Sequence, residues 1–78
     1  MRRVTWAEIE EFEKDFTHKV LANPDYRYGQ AFLKYFLWVY NSMNNDGDLG
    51  RRDLMQVWHS ASRAEVLDLV DWYIEDNE

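Results

Sequence analysis

Residues 27–42 read RYGQAFLKYFLWVYNS, and this stretch decides the fold. From Phe32 to Tyr40 every residue except Lys34 is apolar or aromatic. A helix of that composition is apolar around most of its circumference and has to be enclosed by the rest of the chain. It is expected to be the central helix. Upstream, Ala22-Asn23-Pro24-Asp25 separates it from another helical pattern. Pro24 has no N–H for a continuing helix and holds Asn23 extended. The central helix then starts either at Pro24, with Asn23 as its cap, or nearer Tyr28, because Gly29 is unfavourable inside a helix. The upstream pattern opens on Thr5-Trp6-Ala7-Glu8, a capping box, and repeats Trp6, Ile9, Phe12, Phe16 and Val20 at helical spacing. On its polar side, Glu10–Lys14 and Asp15–Lys19 stand four residues apart in the favourable order.

Downstream, Asn41 to Gly50 is polar and rich in turn formers, so the chain is expected to leave the core there. Arg51 to Ser60 reads as a short helix with Leu54, Val57 and Trp58 inward and Asp48 as a candidate cap. A second capping box, Ser62-Arg63-Ala64-Glu65, opens a last helix that buries Val66, Leu67, Leu69, Val70, Tyr73 and Ile74. The reading is an all-α domain spanning residues 1–78. It is a small bundle of about four helices near residues 5–21, 26–42, 51–60 and 63–75, with a fraying tail at 76–78.

Composition narrows the function classes. The chain has 78 residues, no cysteine and a net charge of −6. Residues 1–39 hold six Lys/Arg and six Asp/Glu, whereas residues 40–78 hold three and nine, so the whole excess is in the second half. That balance is repelled by phosphate backbones and anionic lipid and favours a basic protein surface as partner, with no direct nucleic acid and no membrane. The absence of thiols suits a cytoplasmic location, and no apolar run approaches the ~18 residues of a membrane span. Aromatics are 17% of the chain and enlarge a core that is otherwise small for its length.

The residues that carry chemistry are few. With Gly47 at the invariant sixth position of a calcium loop, the other positions become Ser42, Asn44, Asp46, Asp48, Leu49 and Asp53. Ser42 replaces the usual first Asp, and Asp53 is too short for a bidentate last ligand, so an EF-hand-like loop is a degenerate match and no metal site is expected. His18 and His59 have no partner at metal or catalytic spacing, so no catalytic residue, no cofactor and no enzyme activity is expected. On a continuous last helix Asp68, Asp71, Trp72 and Glu75 share one face. That face is either solvated or an acidic ridge around an aromatic anchor for a basic partner. Trp38 and Tyr40 raise a parallel question, since a helix so uniformly apolar cannot turn every ring inward. A homodimer or another protein would cover the remainder.

Arg27, Gly29, Gln30 and Ala31 form a segment similar to one found in small phage and prophage helical proteins, where an Arg-x-Gly-Gln-Ala-x-x-Asn run opens a helix. Lys34 stands here where Asn is usual. The resemblance covers about ten residues and implies a compact accessory protein that binds or inhibits host machinery. Physically, Gly29 permits close approach of another backbone. Arg27 and Gln30, one turn apart, are placed to tie down a loop or to contact a partner. The expected function is a non-enzymatic protein-binding module docking on a basic surface, with Trp72 as anchor. The alternative is a structural protein that assembles with copies of itself through Trp38 and Tyr40.

Overall fold

A computed structural model describes residues 2–76. Five helices follow in order: α1 Trp6–Ala22, α2 Tyr28–Tyr35, α3 Leu37–Asn44, α4 Gly47–His59 and α5 Arg63–Leu69. A single 3-10 turn, Asp71–Tyr73, comes after them. The all-α reading holds, with one more helix than expected and different ends.

α1 begins as its sequence dictates. Thr5 Oγ1 accepts from the Glu8 N–H at 3.1 Å, and Glu8 Oε1 accepts from the Thr5 N–H at 3.0 Å. A third N–H, that of Trp6, donates to Glu75 Oε2 at 2.7 Å, so a carboxylate from the far end of the chain completes the cap. Of the two expected ion pairs on α1, Lys19–Asp15 forms at 3.0 Å, and Glu10–Lys14 is not among the ion pairs of the described residues. The helix ends at Asn23, whose side chain accepts from the Asp25 N–H in an Asx turn. The next helix starts at Tyr28, so Pro24 belongs to the connection and Asn23 does not cap α2.

The expected long central helix is divided at Phe36, where φ −105° and ψ 69° interrupt the hydrogen-bond ladder. No proline or glycine lies at the break, so the cause is tertiary. Length is not the constraint, because a helix from Tyr28 to Asn44 would be no longer than α1, which runs unbroken for 17 residues. Bending at Phe36 lets α3 fold back along α4 while α2 packs against α1, α3, α4 and α5. The N-terminal half of the stretch is thus the central element. Phe36 itself stays buried, its ring among Phe12, Phe32 and Tyr35.

The polar segment Asn41–Gly50 does leave the core, with only Met43 and Gly50 buried, but it does so largely as helix and not as a loop. α3 runs to Asn44 and α4 starts at Gly47, so only Asn45 and Asp46 join them, and α4 begins four residues before the expected Arg51. Gly47 takes φ +80° to make this corner. Asp46, and not Asp48, occupies the cap position, without a side-chain hydrogen bond. At the other capping box, Ser62 Oγ accepts from the Glu65 N–H at 3.3 Å. α5 stops at Leu69, and the chain turns extended so that Val4 and Ile74 form a lone parallel bridge. Val4 N–H donates to Tyr73 O at 2.7 Å and Glu75 N–H to Val4 O at 3.0 Å.

The core gathers on Phe12, whose ring lies 5.2–6.0 Å from those of Phe16, Tyr28, Phe32, Tyr35 and Phe36. Val4, Val39, Val57, Val66 and Val70 complete it, all fully buried. Asp76 is exposed, and the remaining tail residues expected to fray, 77 and 78, lie outside the described residues. Among the described residues no helix is long and apolar enough to cross a membrane.

Candidate functional site

The acidic ridge does not exist as a helix face. Because α5 ends at Leu69, Asp68 lies in its last turn, Asp71 and Trp72 lie in the 3-10 turn, and Glu75 lies beyond it. Helical spacing of carboxylates disfavours nothing here; what ends the helix is the extended pairing with Val4, which requires the chain to straighten from Ile74 after the 3-10 turn. Glu75 is turned inward onto the α1 N-terminus and is half-buried, so it is a cap rather than a surface carboxylate. Asp68, Asp71 and Asp76 are exposed, and none is in an ion pair among the described residues.

Trp72 is 64% exposed, the most exposed of the large aromatic side chains. Arg3 meets it twice: its guanidinium carbon lies 5.3 Å from the indole centroid, and Nη1 donates to the Trp72 carbonyl at 2.7 Å. Arg2 stacks in the same manner on Trp38, 4.9 Å from its ring. Trp38 is edge-on to Tyr73 at 6.1 Å and half-buried, and its indole N–H finds no acceptor among the described residues. Burial, followed by the Asp46 carboxylate, pushes the Tyr73 phenol above its ordinary range. The patch is therefore an exposed indole with unpaired carboxylates around it and arginines already stacked on its tryptophans.

Tyr40 points elsewhere. It is edge-on to Trp58 at 6.3 Å and lines a groove of about 240 Å³ with Leu54, Met55, Trp58 and His59. Met55 is 58% exposed, and the Lys34 ammonium stands 6.0 Å from the Trp58 ring. Sequence reasoning passed over Met55. Its signal was present in Arg51, Arg52, Trp58 and His59, which stand three or four residues from it and share its face. Trp38 and Tyr40 are thus each partly covered by their own chain and belong to two different surfaces.

Arg27 and Gly29 serve the fold. Arg27 Nη1 donates to the His59 carbonyl at 3.3 Å and lies 3.5 Å from Nδ1 of that ring, tying the end of α4 to the start of α2. A Cβ on Gly29 would sit 1.6 Å from the Val57 carbonyl oxygen, and the Gly29 N–H donates to Ser60 O at 3.0 Å. Both the close backbone approach and the tie-down read from the segment are present. Gln30 is half-buried on the same helix.

The calcium-loop register is corrected by the short α3–α4 corner: Ser42 and Asn44 are inside α3, and Asp48 and Asp53 are inside α4. Asp48 is engaged by Arg51 at 3.5 Å. Among the described residues no group of three or more His, Asp or Glu side chains is placed to hold a metal ion. A second groove, of about 310 Å³, has Phe16, Tyr26 and Tyr35 in its walls and Lys19, Asp15 and Lys34 at its rim. Its lining includes no Ser, Thr, Cys or His. No protein-family model, curated protein or solved structure matches the chain.

Proposed function

We propose that the chain is a non-enzymatic protein-binding module of phage accessory type, cytoplasmic, that docks on a basic protein surface through Trp72, Asp68 and Asp71. The observation that carries this reading is the 64% exposure of Trp72 next to carboxylates that have no ion-pair partner among the described residues. Exposed indoles bring large rigid contact area at low entropic cost and are frequent energetic centres of interfaces. Arg3 stacked on Trp72 illustrates the chemistry the patch accepts, a guanidinium on the ring with a backbone carbonyl as acceptor. The resemblance carried by Arg27, Gly29, Gln30 and Ala31 supports the accessory or inhibitory role.

The test is capture of partners from a bacterial lysate at micromolar bait, with wild type and with Asp68→Lys/Asp71→Lys. Glu75 is left intact because it caps α1. Partners of the acidic patch are expected to be lost with the double charge reversal and to weaken as salt shortens the Debye length from about 10 Å at 0.1 M to 3 Å at 1 M. Retention of every captured protein by the double variant would overturn the reading. The alternative, an assembly protein using apolar surface, is favoured by Met55 at 58% exposure beside Tyr40 and Trp58. Association through that surface holds or strengthens with salt.

A further inference from the structure

Two exposed features of this molecule are complementary to one another. The first is Trp72, exposed between Asp68 and Asp71 on one side and Asp76 on the other along the chain. The second is the groove of Tyr40, Leu54, Met55 and Trp58. In a chain of net charge −6, this groove is surrounded by cations. Arg51 and Arg52 precede Met55 by four and three residues on α4 and share its face. Lys34 stands over Trp58, and Arg27 lies against His59 at the groove's end. Asp48, in line with them on α4, pairs with Arg51, which leaves Arg52 and Lys34 as cations beside the groove without an ion-pair partner among the described residues. At about 240 Å³ the groove is smaller than the roughly 300–1,000 Å³ of small-molecule sites. It is open along exposed Met55 and is of a size for one inserted side chain.

The two features cannot meet within one molecule. Trp38 and Tyr40 are two residues apart on α3 and so point about 200° apart around its axis. Trp38 packs on Tyr73, beside Trp72, whereas Tyr40 packs on Trp58 in the groove wall. The patch and the groove therefore lie on opposite sides of α3. We infer that the groove's occupant is Trp72 of a second copy, with Asp68 and Asp71 of that copy facing Arg52 and Lys34. This rests on the docking role proposed for Trp72 and names the basic partner surface as the chain's own. The contact joins unlike surfaces, so each copy added leaves one patch and one groove free, and association proceeds head to tail until a ring closes.

Sedimentation velocity of the full chain tests this with wild type, Trp72→Ala and Met55→Glu, alone and mixed. Both substitutions fall on exposed side chains, and far-UV circular dichroism checks that each variant folds. Wild type is expected to exceed twice the 9.5 kDa monomer mass as concentration rises. Each variant alone is expected to associate about thirtyfold more weakly, the loss typical of a central anchor. An equimolar mixture retains one intact patch and one intact groove, and is expected to form a 1:1 complex that grows no further. Should either variant fail to fold, Asp71→Lys replaces the first and Arg52→Glu the second, with the same pattern expected. Wild type remaining monomeric at millimolar concentration would overturn the inference and leave the groove to an acidic segment of another protein. Association retained by both single variants would overturn it in favour of a contact elsewhere. Neither result touches the capture of foreign partners by the acidic patch, which stands or falls on its own experiment.

Discussion

At the scale of single residues, the three glycines show how different the reasons for one residue type are. Gly29 sits inside α2, where alanine is intrinsically better by up to about 1 kcal/mol. The added Cβ would nevertheless meet the Val57 carbonyl oxygen at 1.6 Å and force α2 off the end of α4. Overpacking of that kind costs about 1–3 kcal/mol and more where backbone must move, so sterics win. Gly29→Ala is expected to lose at least about 3 kcal/mol in urea denaturation. Gly47 has open space around its Cα and φ +80°. Gly47→Ala is expected to lose only about 1 kcal/mol, the cost of a left-handed backbone for an L residue. Gly50 is a third case, its missing Cβ leaving room for the Met43 carbonyl where α4 crosses α3.

At the scale of elements, the joints are polar. Tyr28 of α2 donates its phenol to Glu13 Oε2 of α1 at 3.0 Å, and Arg63 at the start of α5 donates to the same oxygen. Burial first, then the Glu13 carboxylate, raises the Tyr28 phenol above its ordinary value of 10.0. The unfolded chain releases that proton near pH 10 while the folded chain keeps it, so above pH 10 the unfolded state binds fewer protons. Stability is then fully present below pH 10 and lost as pH rises toward the folded value. Tyr28→Phe is expected to flatten this alkaline decline in urea midpoints measured across it, leaving the smaller share of Tyr73, which is raised in the same direction. At neutral pH the same substitution is expected to cost about 1 kcal/mol for the lost hydrogen bond. At the α1 start, Thr5→Ala removes the acceptor of the Glu8 N–H and is expected to cost about 1 kcal/mol. Because Glu75 satisfies the neighbouring Trp6 N–H, Thr5→Ala and Glu75→Ala are expected to couple in a double-mutant cycle.

For the whole molecule, the two ends of the chain close the fold on each other. Val4 is fully buried, bridges Ile74 and lies one residue ahead of Thr5, the α1 cap that Glu75 completes. Val4→Ala is expected to lose about 2 kcal/mol, from two buried methyl groups and the space they leave. Arg3→Ala, which removes an exposed stack on Trp72, is expected to stay within about 1 kcal/mol. Thermal melts of the two variants check the contrast. A larger loss at Arg3 than at Val4 would mean that the cationic clasp, and not the buried bridge, holds the termini together.

Local chemistry alone determined several features of this protein. The Thr5 box, the Pro24 break and the apolar stripes of α1 and α5 are all set within a few residues, by caps, fixed φ and helical period. The close approach at Gly29 and the tie-down by Arg27 are capacities of those residues, but their partners, Val57 and His59, are supplied by the tertiary structure. Only the tertiary structure decided the break at Phe36, because no residue there forbids a helix and the bend lets α3 pack on α4 while α2 packs on α1 and α5. It also drew the polar run Asn41–Gly50 into helix, leaving a two-residue corner where composition favoured a loop. The candidate site divided along the same line. Trp72, Asp68 and Asp71 are exposed as their residue types suggest, but the helical spacing that would have put them on one face ends at Leu69. The diversion of Glu75 to α1 and the separation of Trp38 from Tyr40 follow from the Val4–Ile74 pairing and the packing of α3. Helical period places side chains on faces, but which face meets another element depends on residues tens of positions away, whose approach no local pattern encodes.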